Sequence, residues 1–332
     1  VDGQRISGKQ VFVGVGGRPF VPPIKGLADV DYLDNESLLA LSELPESMVI
    51  MGGGYIAVEY GHFFSAMGVD VTILEMADRL VAAEEEEISA VLKEELSSRL
   101  TVATGMKAEE VEKTSTGVRV LARNTVSGQA IRFTAQSLLV ALGRIPNSDS
   151  VAAEKAGLAM DRRGNIEVDE YMRTSQAGVW AIGDINGKSL FRHSANVMAL
   201  IAAADALEGR QIAMDYSAIP HAVYSYPQIA SVGMTEAQAL EAGLHFTVAR
   251  APYTSTAKGE ALAEDAGFAK AIVDRDTERI LGFHIIGPHA PILIQEVVNA
   301  MQSGGHVNEL VRGVHIHPSL SELIPSVLAE LG

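Results

Sequence analysis

Residues 49–75 read VIMGGGYIAVEYGHFFSAMGVDVTILE: an apolar strand, a glycine turn, a helix, a second strand and a terminal acid. The strand at Val49–Met51 runs into Gly52-x-Gly54-x-x-Ala57. At such a corner the first glycine permits the tight turn, and the second lets backbone N–H groups approach a pyrophosphate. A small third residue lets the helix lie close to its strand. Unpaired amides and the macrodipole make the helix start favourable for a phosphate. Tyr55 and Ile56 open that helix and join Gly52 and Gly54 as candidate cofactor-binding residues. Glu75 ends the strand expected over Asp70–Leu74, at roughly the 20-residue spacing of the acid that binds an adenosine ribose. Its carboxylate would accept a hydrogen bond from a 2′-hydroxyl and repel a 2′-phosphate, which points to NAD(H) over NADP(H). The plain alternative is a structural strand–helix–strand unit with an incidental acid.

A chain of 332 residues can bury a large core and has room for two or three domains. Hydrophobic residues make up 47% and charged residues 20%, the balance of a globular protein. No run of about 18 apolar residues suggests a membrane span, and no basic, apolar leader is evident, so a cytoplasmic setting is expected. The formal charge of −16, from 26 basic and 42 acidic residues, opposes binding to nucleic acid or to anionic lipid. The acid run Glu84–Glu87 reads as a solvated helix start, where acids favour the dipole. Cysteine is absent, which excludes disulfides, thiolate metal sites and thiol nucleophiles within these residues.

Residues 1–10 resemble the tail of a hairpin and lead into a continuous apolar strand, VFVGVGG, residues 11–17, then Arg18-Pro19. A run apolar on both faces belongs inside a parallel sheet, so the strand at Val11 implies neighbours that little upstream sequence supplies. A connecting stretch with a short helix at Ser37–Leu41 precedes the dinucleotide unit. A helix over Glu86–Arg99 follows it, with strands at Leu100–Ala103, Val118–Ala122 and Ala130–Ala135. SLLVALGRIPN, residues 137–147, then repeats the grammar of residues 11–19: apolar strand, glycine, arginine, proline. Residues 166–184 give a short strand, a turn at Thr174 and a second strand ending in Gly183-Asp184, where open α/β sheets place ligands. An alanine-rich helix over Ala195–Leu207 follows. Beyond Tyr216, strands at Gln228–Gly233, His245–Pro252, Gly267–Asp274 and Ile280–Ile286 alternate with helices at Thr235–Ala242 and Pro291–Ser303, an α+β pattern.

In their order these segments resemble the flavoprotein disulfide reductases, and dihydrolipoamide dehydrogenase most of all. VFVGVGGRP is similar to the family's ATGxRP segment, GGGYIAVEYG with Glu75 to its NAD motif, and LVALGRIPN to its return crossover. TSQAGVWAIGD resembles its second FAD motif. AVYSYPQIASVGMTEAQA and HIHPSLSE resemble signatures of its dimerisation domain. The resemblance implies FAD and NAD as cofactors, a homodimer, and a small-molecule or protein-bound disulfide or dithiol as substrate. It implies that Gly16, Gly143, Arg144, Gly183 and Asp184 lie near the flavin nucleotide and that Glu59 faces the nicotinamide. It further implies that His317 serves the partner subunit as acid/base, oriented by Glu322. The chemistry suits those residue types, because an imidazole exchanges protons near neutral pH and a carboxylate fixes its tautomer. From the residues alone, Ser319-x-x-Glu322 also fits a helix capping box. His315 with His317 could grip a metal, although no third ligand is evident. His193 falls where the family approaches the flavin ring, or is a structural histidine.

Two parts of the family pattern have no counterpart in these residues: the GxGxxG unit for the ADP half of FAD and the CxxxxC redox disulfide. With the unpartnered strand at Val11, this leads to the expectation of an N-terminally truncated chain, about 120–150 residues short of a whole enzyme on the size of one such domain, and catalytically incomplete. The expected fold is α/β, with Rossmann-like FAD- and NAD(P)-binding domains and a C-terminal α+β dimerisation domain. Residues 1–42 and 148–213 are assigned to the FAD domain, 43–147 to the NAD domain and 214–332 to the interface. Glu75 and the absence of a terminal cysteine pair argue against glutathione and mercuric reductases. A mycothione reductase, CoA-disulfide reductase or NADH oxidase relative stays open, as does a non-catalytic dimeric NAD-binding fragment.

Overall fold

The computed structural model describes residues 6–331. Residues 1–5 of the expected hairpin lie outside the described part, and residues 6–10 carry no strand. The chain divides into two compact units, residues 1–20 with 143–216, and residues 21–142 with 217–332.

The larger unit contains the stretch that opened the sequence analysis. Its parallel sheet has the strand order Thr101–Ala103, Asp70–Leu74, Ser47–Met51, Ser137–Val140. Met48, Val49, Ile50 and Met51 are each at most 1% exposed, as expected of a strand covered on both faces. The Tyr55–Ala66 helix lies against this sheet through Ala57 and Val58, both fully buried. Gly61 helps it approach, since a Cβ there would stand 2.8 Å from Ile73 Cδ1. The Glu86–Ser97 helix buries Ile88, Leu92 and Leu96 in the same core. A three-stranded antiparallel sheet (Met106–Thr114, Gly117–Asn124, Ala130–Ala135) follows, of which Met106–Thr114 was not foreseen. The C-terminal part is a five-stranded antiparallel sheet in the order His221–Val223, Ile229–Gly233, Ile280–Ile286, Phe268–Asp274, Phe246–Pro252. The Ala290–Gln302 and Leu323–Ala329 helices pack on its core.

In the smaller unit, the continuous strand expected over residues 11–17 is broken: two short strands stand within residues 11–19. Val11–Val13 pairs in parallel with Val179–Ala181, and Gly17–Pro19 pairs antiparallel with Arg144–Pro146. The break falls at Gly16, whose φ of +62° a strand cannot continue through. Val11 and Phe12 are 44% and 42% exposed, and among the described residues the strand has one partner strand, so its apolar side chains are left uncovered. The strand expected after Ile166 reduces to isolated bridges, Met160 with Ile166 and Arg173 with Trp180. The Arg192–Glu208 helix completes the unit. Arg173 Nε and Trp180 Nε1 donate to the buried Asp205, at 2.7 and 2.9 Å.

Candidate functional site

The glycine corner is shaped by backbone, not by side chains. Gly52 has φ +113°, and a Cβ on it would lie 2.2 Å from the Ala141 carbonyl oxygen, so only glycine fits. Gly53 packs against Glu75, where a Cβ would meet Glu75 Cγ at 2.7 Å. Gly54 is the opposite case: exposed, with nothing within 4 Å of where a Cβ would stand. It caps the Tyr55–Ala66 helix without offering a side chain to the helix amides. Open space before a helix N-terminus is the shape a pyrophosphate requires. Glu75 stands at the end of the neighbouring strand, its Oε1 accepting from Ala77 N–H at 2.6 Å.

Glu59 lies on the same helix, half-buried, and accepts a hydrogen bond from the Tyr224 amide at 2.9 Å. Burial pushes its carboxyl pKa up against that hydrogen bond. The structure thus brings Gly52, Gly54, Tyr55, Ile56, Glu59 and Glu75 onto one corner.

Farther along, His317 Nδ1 meets Glu322 Oε1 at 2.9 Å, and Glu322 Oε2 accepts from the Ser319 amide at 2.9 Å. The capping box and the imidazole–carboxylate pair coexist, one oxygen serving each. Because a carboxylate only accepts, neutral His317 carries its proton on Nδ1 and turns a free Nε2 lone pair outward. Its side chain is 69% exposed. The Ser319 amide and then His317 hold the Glu322 carboxyl below its usual range. His315 does not pair with His317 for a metal: its Nε2 meets Glu296 Oε1 at 2.9 Å and its Nδ1 the Gly313 carbonyl at 3.2 Å.

In the smaller unit, Gly16 and Gly143 have positive φ and nothing within 4 Å of a Cβ position. Arg144 Nε stands 3.5 Å from Asp184 Oδ2, just past the positive-φ Gly183, and Arg144 also donates to the Gly17 carbonyl. Gly183, Asp184 and Arg144 therefore converge, each polar side chain about a quarter exposed.

The acid run Glu84–Glu87 is a solvated helix start only in its second half: Glu86 is exposed and Glu87 partly so, both in the first turn of the Glu86–Ser97 helix. Glu84 and Glu85 are 2% and 5% exposed and precede the Glu86–Ser97 helix instead of lying along it. Glu85, Glu87 and Glu236 surround the buried Lys270 Nζ at 2.7, 3.0 and 2.6 Å. These are the three acids close enough to hold a metal among the described residues, and the ammonium occupies their centre.

Residues 1–206 match the pyridine nucleotide-disulphide oxidoreductase family, and residues 219–327 match its dimerisation domain. The chain belongs to this family. Among relatives, a mycothione reductase of Mycobacterium tuberculosis is 36% identical over 335 residues, covering 99% of this chain and 72% of its own length. A dihydrolipoyl dehydrogenase of Geobacillus stearothermophilus is 35% identical, covering 96% of this chain and 67% of its own. The HOCl-induced flavoprotein disulfide reductase RclA of Escherichia coli superimposes with a TM-score of 0.89 at 29% identity, covering 98% of this chain and 74% of that one. Pyridine nucleotide-disulphide oxidoreductases use FAD and NAD(P)H, and the open corner at Gly54 fits the dinucleotide. No helix among the described residues is long and apolar enough to cross a membrane.

Proposed function

We propose that this oxidoreductase uses NAD(H) in preference to NADP(H) and works as a cytoplasmic homodimer on a disulfide or dithiol of the dihydrolipoamide or mycothiol class. The observation that carries the first part is the carboxylate of Glu75 seated against Gly53, beside the open helix start at Gly54. A ribose 2′-hydroxyl would donate to that carboxylate, whereas a 2′-phosphate would meet an uncompensated negative charge. Gly52 sets the turn, Gly54, Tyr55 and Ile56 offer backbone to the pyrophosphate, and Glu59 borders the nicotinamide side. Gly16, Gly143, Arg144, Gly183 and Asp184 would hold the flavin nucleotide. We assign residues 1–42 with 148–213 to FAD, 43–147 to NAD and 214–332 to the interface, with residues 21–42 packing in the larger unit.

Bound nicotinamide and flavin supply hydride transfer and electron storage. The chain's own acid/base group is His317, whose exposed Nε2 can take or return a thiol proton while Glu322 fixes the ring. The 332 residues contain no cysteine, so the reacting sulfurs come from outside them. Similarity to both mycothione reductase and dihydrolipoyl dehydrogenase supports the two substrate classes equally.

The test is Glu75→Ala in calorimetric titrations with NAD⁺ and NADP⁺. Loss of one charge-assisted hydrogen bond should weaken NAD⁺ by about tenfold or more and narrow its advantage over NADP⁺. Equal loss for both, or none, would remove the ribose assignment.

A further inference from the structure

Glu84 is a buried carboxylate without a place in the function just described. Its Oε1 accepts from the Tyr55 hydroxyl at 2.7 Å and from His221 Nε2 at 2.8 Å, and its Oε2 from Ser231 Oγ at 2.7 Å. The rings of Tyr55 and His221 stack, with centroids 5.9 Å apart and 17° between planes. Burial alone would push the Glu84 carboxyl up, yet His221, Tyr55 and Ser231 together hold it below its usual range, so it stays an anion. Three donors converging on one buried anion make a fully satisfied site, which fixes its members in one arrangement.

The position of that site matters. Tyr55 is the first residue of the helix that follows Gly54. Three residues before Glu84, the Val81 amide donates to the Gly53 carbonyl at 2.7 Å. At the other end of the same segment, Glu75 packs on Gly53. Residues 75–84 therefore clasp the glycine corner at both ends, and His221 and Ser231 tie the far end to two strands of the C-terminal sheet.

We propose that Glu84 is a positioning residue for dinucleotide binding: it locks the Tyr55 ring and the clasp formed by residues 75–84, so that the space before Gly54 stays open. The proposal rests on the glycine corner being the NAD(H) cradle. Glu84 does not touch the dinucleotide; it acts through Tyr55. His221 and Ser231 make the C-terminal sheet the anchor, so the corner's shape depends on strands outside the nucleotide-binding sheet.

The experiment is fluorescence titration of NADH into the 332-residue chain and its Glu84→Gln, Tyr55→Phe, Glu75→Ala and Glu84→Gln/Tyr55→Phe variants, with ¹³C-tyrosine spectra of each. We expect Glu84→Gln and Tyr55→Phe each to weaken NADH by about three- to tenfold, the double variant being no weaker than the worse single one. The Tyr55 resonance, assigned from Tyr55→Phe, should move in Glu84→Gln before any ligand is added and again in wild type when NADH binds. A purely structural glutamate would lower the melting temperature and leave both readouts where they were. Should Glu84→Gln fail to fold, Tyr55→Phe, which keeps the ring, carries the test. An unchanged NADH affinity in Tyr55→Phe and Glu84→Gln, with Glu75→Ala weakened, would overturn the role of Glu84 alone. Wild-type protein that binds no NADH would overturn the cradle, and the proposal with it.

Discussion

Glu87 shows how one side chain ties acid sensitivity to the fold. The hydrogen bond from Arg250 is the main reason its carboxyl is pushed down to about 2, with Lys270 adding to the effect against partial burial. A carboxyl whose pKa is lower in the folded than in the unfolded state contributes stability above its unfolded value, here about 4.5, and loses it as pH falls toward 2. Its side chain is 41% exposed, so solvent screening holds the contribution to about 1 kcal/mol or less. Urea unfolding between pH 5 and 2.5 should therefore show a shallower acid-limb slope in Glu87→Gln than in wild type, about that size in total. Identical slopes would mean that the Arg250 pair does not hold in solution. Such pairing was hidden in the sequence because four consecutive glutamates look alike as letters. Only the start of the helix at Glu86 separates the buried pair, Glu84 and Glu85, from the partly exposed Glu87.

At the scale of elements, the parallel sheet and its glycine corner were legible because burial on both faces demands unbroken apolar runs, which Met48–Met51 and Leu138–Val140 supply, while Asp70–Leu74 buries Val71, Ile73 and Leu74 beside them. Met106–Thr114 was not legible. Its residues MKAEEVEKT bury only Met106 and Val111, and a register shift between Ala108 and Glu110 destroys the period of two. His317 and Glu322 were legible from the HIHPSLSE text, whereas the partners of Glu84 were not, since Tyr55, His221 and Ser231 lie far apart along the chain.

The corner itself separates fold from function by two neighbouring substitutions. Gly52→Ala puts a Cβ into the Ala141 carbonyl at φ +113° and should cost about 2–3 kcal/mol or more, seen as a fall in melting temperature. Gly54→Ala has φ −79° and open space, so its melting temperature should match or slightly exceed that of wild type. Its methyl group enters the space meant for the pyrophosphate, and NADH affinity should drop by about tenfold or more. A Gly54→Ala protein that is stable and binds NADH as wild type does would contradict the cradle.

For the whole molecule, the acidic surface and the dimerisation domain make opposite demands: a net charge of −16 keeps copies apart, and apolar contact must outweigh it. Val314 and Ile316, which flank His315, are 101% and 78% exposed. In the proposed homodimer, side chains of this kind beside a dyad that serves a second subunit would lie in the contact. Sedimentation velocity should show a dimer that tightens as added salt screens the charge, and Val314→Asp/Ile316→Asp should sediment as a monomer with an unchanged far-UV spectrum. A dimer indifferent to both substitutions would place the interface elsewhere.

The nucleotide corner is what links the single carboxylate at Glu75 to the oxidoreductase reading of the whole chain. Crystals soaked in NADH test it most directly. Density for a pyrophosphate over Gly54 and the first amides of the Tyr55–Ala66 helix, with the adenosine ribose on Glu75, is the expected result. Density at another place, or an empty corner at saturating NADH, would contradict it.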